Sequence, residues 1–177
     1  FTISGDWKST FIENDVTILD TSFSLLTSWT KNDKTQHFSG TAIYSISFDL
    51  PEEYISDNHV LLLDPGKVGN IAEVELNGIK VGTTWMREQT LDISDILKSG
   101  PNNLKFFITN TLINRISAME TAPPVPKHLV PYYGSGTTNY SAAMNKTMEM
   151  GFTPLPPSGL MGPVKIKVLK KVDIKFD

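Results

Sequence analysis

Cysteine is absent from the 177 residues of the chain. Its absence excludes disulfide bonds, zinc–thiolate centres and thiol nucleophiles, while the compartment stays open because many exported bacterial proteins also lack cysteine. The three histidines are scattered, without the spacing of a metal-binding motif. No apolar run reaches the roughly 18 residues that a membrane-spanning helix needs. We therefore predict no cofactor and no membrane partner.

An excess of positive charge is also missing. The 16 basic and 19 acidic residues give a net charge of −3, which offers little electrostatic support for binding a phosphate backbone. The lysines between Lys165 and Lys175 alternate with Ile166, Val168 and Val172, a pattern typical of the solvent face of a strand. We predict no nucleic-acid partner.

The strongest signal that is present is a β-hairpin at residues 71–85. Apolar and polar residues alternate up to Asn77-Gly78, a pair favoured in type I′ turns because both central positions need positive φ. Residues 80–85 supply a second strand rich in β-formers. The alternation predicts that Ile71, Val74 and Leu76 point inward and that Glu73 and Glu75 point outward.

The rest of the chain predicts an all-β domain. About eight short strands separated by turn signals, with almost no helix, indicate an antiparallel β-sandwich, either a jelly roll or an immunoglobulin-like fold. Residues 12–36 have no clear assignment. We expect one domain over 1–177, and the first residues resemble the opening strand of a domain within a longer polypeptide. The predicted buried residues are Ile43, Leu62, Val74, Leu76, Leu104, Phe106 and Ile166.

A long insertion at about 116–157 differs from this pattern. It concentrates most of the prolines and methionines of the chain, and only 141–150 has a helical pattern. A loop of this length is usually functional or ordered by a partner. One interpretation is a contact surface for a glycan or another domain; the other is a lid on the core, formed by Met144, Met148 and Phe152. The tyrosines that the contact interpretation requires to be exposed are Tyr132, Tyr133 and Tyr140.

An ordered series of short motifs resembles a known module. The series comprises FSGTAIY at 38–44, LLDPGKV at 62–68, AEVELNG at 72–78, GTTW at 82–85, LDIS at 91–94, GPNNL at 100–104, NR at 114–115 and PSGLMGPV at 157–164. It resembles the sugar-binding, galactose-binding-like jelly-roll domain of glycoside hydrolase family 2, in the version that ends large α-L-rhamnosidase-like enzymes. The chain departs from that pattern at 86–88, where the family usually has a proline or an aromatic residue, and throughout 116–156.

The resemblance implies a galactose-binding-like jelly roll and a non-catalytic carbohydrate-binding or structural accessory module of a bacterial glycoside hydrolase. The parent would be periplasmic, cell-surface or secreted, and the partners would be a carbohydrate or the catalytic domain of that parent. An independent lectin-like module is the alternative. A structural calcium ion is common in this fold, with Asp57 or Asp64 as candidate ligands.

The individual candidate residues each have a structural alternative. Glu73 and Glu75 share one strand face, but a half-buried strand always has a polar face, so we predict solvated carboxylates and no hydrolase activity. The tryptophans Trp7, Trp29 and Trp85 are predicted to be core residues, with sugar stacking as the alternative. Asn114 and Arg115 either brace loops or contact a glycan or a neighbouring domain.

Overall fold

The computed structural model describes residues 1–86, 89–119, 126–133 and 154–172. These residues form eleven β-strands and two single-turn α-helices, α1 (Ile113–Ile116) and α2 (Val130–Tyr133). The predicted all-β class is confirmed. The strands are β1 (Trp7–Glu13), β2 (Val16–Phe23), β3 (Thr41–Leu50), β4 (His59–Asp64), β5 (Lys67–Gly69), β6 (Ile71–Leu76), β7 (Ile79–Thr84), β8 (Leu91–Asp92), β9 (Gly100–Thr109), β10 (Gly159–Gly162) and β11 (Lys165–Lys170).

The strands form three antiparallel sheets around one core. The largest has six strands in the order β2-β1-β3-β9-β6-β7. A three-stranded sheet, β11-β4-β8, and a two-stranded sheet, β10-β5, complete the sandwich. One continuous apolar cluster contains buried side chains from all three sheets, including Phe106, Leu63 and Leu160. This is the antiparallel sandwich that the period-two pattern predicts.

The central hairpin is confirmed at β6 and β7. Asn77 and Gly78 have φ of 53° and 81°, the positive values that a type I′ turn requires. The predicted orientation of Ile71 is wrong, because Ala72 is the buried residue and Ile71 is exposed on the polar face. Every second residue of a strand points to the same face, so Ala72 shares the inward face of Val74 and Leu76. Ile71 lies on the opposite face although its side chain is larger and more apolar.

A second hairpin has its second strand, β2, within residues 12–36, which have no clear assignment from the sequence. β1 and β2 pair antiparallel over residues 7–23, joined by Asn14 and Asp15 with φ of 49° and 63°. These two residue types tolerate the left-handed conformation better than most others. β2 is an edge strand, so its solvent face has no need of an apolar pattern, and its signal in the sequence is correspondingly weak.

The predicted core is largely confirmed. Val74, Leu76, Leu104, Phe106 and Ile166 are buried. Ile43 and Leu62 are only half-buried, which contradicts their prediction as core residues. On β3 the inward face instead carries Ala42, Tyr44, Ile46, Phe48 and Leu50.

The segment 156–160 is joined to two distant parts of the chain through a largely buried polar group that we call the Ser158 cluster: Ser28, Asn110, Asn114 and Ser158. The Ser158 amide donates to Ser28 Oγ at 3.1 Å, and the Trp29 amide donates to the Ser158 carbonyl at 3.0 Å. Asn114 Nδ2 donates to Ser158 Oγ at 3.0 Å. Because buried polar atoms are costly unless they are paired, this satisfied network holds β10 in one place.

Candidate functional site

A cleft of about 310 Å³ opens at one end of the sandwich, where a tryptophan lies in solvent. Its walls come from three parts of the chain: the turn and strand after β4, the end of β7, and the segment around β10. We call it the Trp85 cleft. It is lined by Pro65, Gly66, Lys67, Val68, Gly69, Asn70, Thr84, Trp85, Met86, Pro157 and Met161.

The first wall exists because β7 stops abruptly. Thr84 is buried, whereas the next two side chains, Trp85 and Met86, are 70% and 66% exposed. The Trp85 amide donates to Gln89 Oε1 at 3.2 Å, and Gln89 Nε2 donates to the Thr83 carbonyl at 3.4 Å. The Gln89 side chain thus hydrogen-bonds to the backbone at both Thr83 and Trp85, and the tryptophan ring lies outside the core.

The second wall is the tight turn between β4 and β5. The Gly66 amide donates to Asp64 Oδ1 at 2.9 Å, and Lys167 Nζ lies 2.7 Å from Asp64 Oδ2. Burial alone would raise the pKa of Asp64, but the hydrogen bonds from Lys167 and Gly66 outweigh it and hold that pKa below its usual range. Asp64 is therefore ionised and engaged in the turn. At the far end of this wall Asn70 has φ of 94°, an uncommon conformation for a residue with a side chain.

The third wall is the outer side of the segment that contains β10. Pro157 and Met161 line the cleft, while Ser158 and Leu160 between them are buried. The segment lies directly on β5, since a Cβ added to Gly69 would meet Ser158 Cα at 2.5 Å. Such close packing of two segments makes this third wall rigid.

The side chains of the cleft favour the binding of a sugar ring over the catalysis of a reaction. The exposed indole supplies a flat apolar face, and Met86, Pro157 and Met161 supply further apolar surface. Asn70 and Lys67 add an amide and an ammonium group. Small-molecule sites combine apolar surface with polar groups that fix the orientation of the ligand. Among the described residues that line the cleft there is no aspartate or glutamate to act as a general acid for glycoside hydrolysis.

A larger, shallower groove of about 770 Å³ lies elsewhere, between the start of the chain and the turn of the central hairpin. Its lining includes Asp6, Lys8, Ser45, Ser47 and Lys105. None of the described residues that line it is aromatic. Polar side chains alone exchange water for sugar hydroxyls with little net gain, so this groove is the weaker candidate for carbohydrate.

The predicted site residues Asn114 and Arg115 have bracing contacts. Asn114 is buried in the Ser158 cluster, and its backbone carbonyl lies 3.1 Å from His37 Nδ1. Direct contact of the Asn114 side chain with a glycan is thus contradicted by its burial. Arg115 pairs with Glu13 at the surface. The structure therefore supports loop bracing, one of the two roles that the sequence left open.

The three tyrosines of the insertion have different outcomes. Tyr132 lies in α2 and is 80% exposed, as the contact interpretation requires. Tyr133 ends the same helix, and Tyr140 lies outside the described residues, as do the helix predicted at 141–150 and Met144, Met148 and Phe152. Their assignment to a contact surface stays a prediction.

The candidate acidic and metal-binding residues are dispersed over the part of the chain that the structure describes. Glu73 pairs with Lys80, and Glu75 pairs with Lys105 at 3.0 Å, so both belong to a solvated strand face. In the described ranges no three His, Cys, Asp or Glu side chains come together as a metal site. Asp64, one of the two candidate calcium ligands, is engaged by Lys167, and the other, Asp57, accepts a bond from Lys171 through its backbone carbonyl.

Sequence reasoning assigned Trp85 to the core, and this prediction is wrong. Trp7 and Trp29 are core residues as predicted. The signal that could have separated them is the departure from the family pattern directly after Trp85, at Met86 and the two residues that follow.

A family model described as "Glycosyl hydrolase 2 galactose-binding domain-like" matches residues 26–165. The chain belongs to this family. The resemblance to the galactose-binding-like domain of family 2 is therefore confirmed, together with the sandwich fold, while a position at the end of the parent enzyme stays a prediction. The family is an accessory domain of family 2 glycosyl hydrolases, and the domain itself is not catalytic.

Relatives of this family member are much longer proteins. A protein of Formosa agariphila named "Putative beta-glucuronidase" is 35% identical over 94% of this chain and 15% of its own length. A rhamnosidase from Novosphingobium sp. PP1Y is 28% identical, with a TM-score of 0.70 over 94% of this chain and 14% of that chain. A Ruminococcus gnavus beta-glucuronidase, 22% identical over 62% of this chain and 21% of that chain with a TM-score of 0.53, shares the fold.

The described residues contain no helix long and apolar enough to cross a membrane.

Proposed function

We propose that this family member is an accessory module of a bacterial glycoside hydrolase and that it binds carbohydrate in the Trp85 cleft. The observation that supports the proposal is the exposed indole of Trp85 beside a walled cleft whose lining combines apolar side chains with polar groups. The cleft would take one sugar residue or the end of a chain, since about 310 Å³ is at the lower limit for ligand pockets.

The energetic reason is the cost of leaving this surface in water. A tryptophan side chain buries 150–250 Å² at about 25 cal/mol per Å² when it finds a partner. Trp85 and Met86 are both mostly exposed in the isolated chain, although the same fold buries Trp7 and Trp29 almost completely. A pyranose presents one apolar face to such a ring and hydroxyls at its rim, which Asn70 and Lys67 could bond.

The parent enzyme is part of the proposal. The chain spans 15% of its Formosa relative and 14% of the Novosphingobium rhamnosidase, so most of each relative lies outside this module. We propose that the parent of this chain is likewise a hydrolase acting on a carbohydrate, exported to the periplasm, the cell surface or the medium. Its sugar specificity stays open. An independent lectin-like module is the alternative, and the gene sequence around this chain distinguishes the two.

The test is carbohydrate binding by the chain itself. The purified protein is applied to a glycan microarray, and each ligand found is measured by isothermal titration calorimetry. Trp85→Ala should weaken binding at least about tenfold, because a stacking aromatic contributes about 1.4 kcal/mol or more. The matched control is Ile79→Ala, since Ile79 is 54% exposed on the hairpin but does not line the cleft. Absence of binding to every glycan, or equal affinity of the Trp85 variant, overturns the proposal.

A structural role beside the catalytic domain has its own supporting observation. Tyr132 is exposed on the short helix of the insertion, beside the exposed Pro131. A rigid aromatic side chain of this kind is typical of interface contacts. If this surface docks on the parent, Tyr132→Ala in the full enzyme lowers its melting temperature but leaves that of the isolated chain unchanged. A full enzyme with unchanged melting temperature rejects the contact.

A further inference from the structure

The Trp85 cleft is distinguished by the sign of its charge. Among the described residues that line it, Lys67 alone is charged. Within the described part of the chain Lys67 forms no salt bridge; the four pairs found there involve Lys80, Lys105, Arg115 and Lys167. A lysine that lines the same cleft as the aromatic platform is thus free to bind an anion.

The surroundings of the cleft add to this positive charge. Behind the second wall lies Asp64, which is already bound by Lys167. Lys165 is the strand partner of Asp64 in the β4–β11 pair and adds a further positive charge that helps hold the carboxylate ionised. Asp64 therefore meets two positive charges, those of Lys165 and Lys167. Its turn thus carries a local excess of positive charge, although the whole chain has a net charge of −3.

We infer that the Trp85 cleft selects an acidic sugar, one with a carboxylate or sulfate group, that it stacks on Trp85 and pairs with Lys67. This inference rests on the proposed carbohydrate-binding function and names its ligand class. The shared chemistry is an oxyanion on a pyranose. Hydrogen bonds between an ammonium group and an oxyanion are shorter and roughly twice as strong as neutral ones.

The composition of the walls explains why a neutral sugar is the poorer ligand. A neutral sugar offers Lys67 only hydroxyls, which hydrate an ammonium group no better than water does. An acidic sugar gains the ionic contact, and no carboxylate among the described lining residues opposes it. The gain is limited by exposure of the lysine, so we expect a preference of about three- to tenfold and a decrease at high salt.

The experiment compares matched ligands on the intact chain. Triplets of the same oligosaccharide in neutral, uronate and sulfated form are printed on an array, and the triplet that binds best is measured by calorimetry at about 0.05 and 0.5 M NaCl. The variants are Lys67→Met, which keeps the length of the side chain, and Lys67→Glu, which reverses its charge. Lys8→Met is the control, because Lys8 is an exposed lysine of the larger groove.

The expected result is a three- to tenfold preference for an anionic form that disappears in Lys67→Met, reverses in Lys67→Glu and persists in Lys8→Met. If the uronate and the sulfated forms bind with different affinities, the stronger ligand identifies which oxyanion the cleft binds. Equal affinity for neutral and anionic forms overturns the inference while sugar binding itself survives. A preference that persists in Lys67→Met and disappears in Lys8→Met places the site in the larger groove and overturns it too. No binding of any sugar is a different result, which rejects the proposed function with it.

Discussion

The two sides of the segment around β10 differ in how their contacts are completed. On the inner side, Ser158 and Leu160 are buried, and every polar atom of Ser158 has a partner within the chain. On the outer side, Pro157 and Met161 line a cleft next to an exposed tryptophan. The inner side specifies the fold, whereas the outer side offers apolar area that only another molecule can cover.

Two tryptophans show the same contrast. Trp29 is 2% exposed, packs edge-on against Phe11 and Phe38, and donates from Nε1 to the Tyr44 hydroxyl at 2.5 Å. Trp85 is 70% exposed, and its bonds to the chain come from its backbone. Residue type alone therefore does not decide whether a tryptophan stabilises the core or is available to a ligand. What decides it is whether the ring and its N–H group find partners within the chain.

The largest effect should come from closing the space between β10 and Trp29. Gly159 has φ of 97°, and a Cβ there would meet Trp29 Nε1 at 2.3 Å. We expect Gly159→Ala to destabilise the chain by at least about 3 kcal/mol, or about 6 °C or more in melting temperature, because strain and overpacking add. Circular dichroism during thermal unfolding measures it.

The control for that substitution is Gly78→Ala. Gly78 also has positive φ, 81°, but no atom lies within 4 Å of its added Cβ. It should cost only the conformational strain, about 1–2 kcal/mol. If both variants lose the same stability, the contact between β10 and Trp29 contributes nothing beyond backbone conformation.

A smaller effect is expected from the Ser158 cluster. Asn114→Ala removes the buried hydrogen bond to Ser158 Oγ at 3.0 Å and the partly buried one to the Pro156 carbonyl at 3.4 Å. We expect a loss of about 1–3 kcal/mol in chemical denaturation. Arg115→Ala, its neighbour, should cost less than about 1 kcal/mol, since the pair with Glu13 is exposed. The reverse order of the two variants would reject the bracing role of Asn114.

The buried hydroxyl of Tyr44 predicts a pH dependence. Burial raises the pKa of Tyr44 to about 12, although the hydrogen bonds from Trp29 and the Leu160 backbone act in the opposite direction. The unfolded chain releases this proton near pH 10, so the contribution is complete below pH 10 and is lost as the pH rises toward 12. Tyr44→Phe should be less stable at neutral pH but should lose less stability between pH 9 and pH 11. Parallel pH profiles for the two proteins would contradict this.

Much of the fold could be predicted because its signals are local. Asn77-Gly78 predicts the central hairpin, since the turn needs positive φ at both positions. The role of Asn77 beyond the turn could not be predicted. Its Nδ2 donates to the Ile96 carbonyl at 3.1 Å and to Asn102 Oδ1 at 2.9 Å, and such bonds between distant segments leave no period in the sequence.

The site was harder to predict for the same physical reason. Burial of Asn114 depends on Ser158, which lies 44 residues further along the chain. Exposure of Trp85 depends on where β7 ends and on the hydrogen bond between its amide and Gln89. Its residue type does not reveal this, because tryptophan is also common in strands whose side chains are buried. Lys67 follows a Pro-Gly turn, and the sequence predicts no more than a surface lysine there. Only the structure shows that it lines the same cleft as Trp85.

The smallest expected effect on stability also gives the most direct test of the contrast between the inner and outer sides. Trp85→Ala should leave the melting temperature within about 2 °C of the parent chain, because the ring makes few contacts that folding could lose. The same variant should bind carbohydrate at least about tenfold more weakly in calorimetry. A fall of several degrees with unchanged carbohydrate affinity would contradict the account, since Trp85 would then stabilise the fold as Trp29 does and the cleft would not be the binding site.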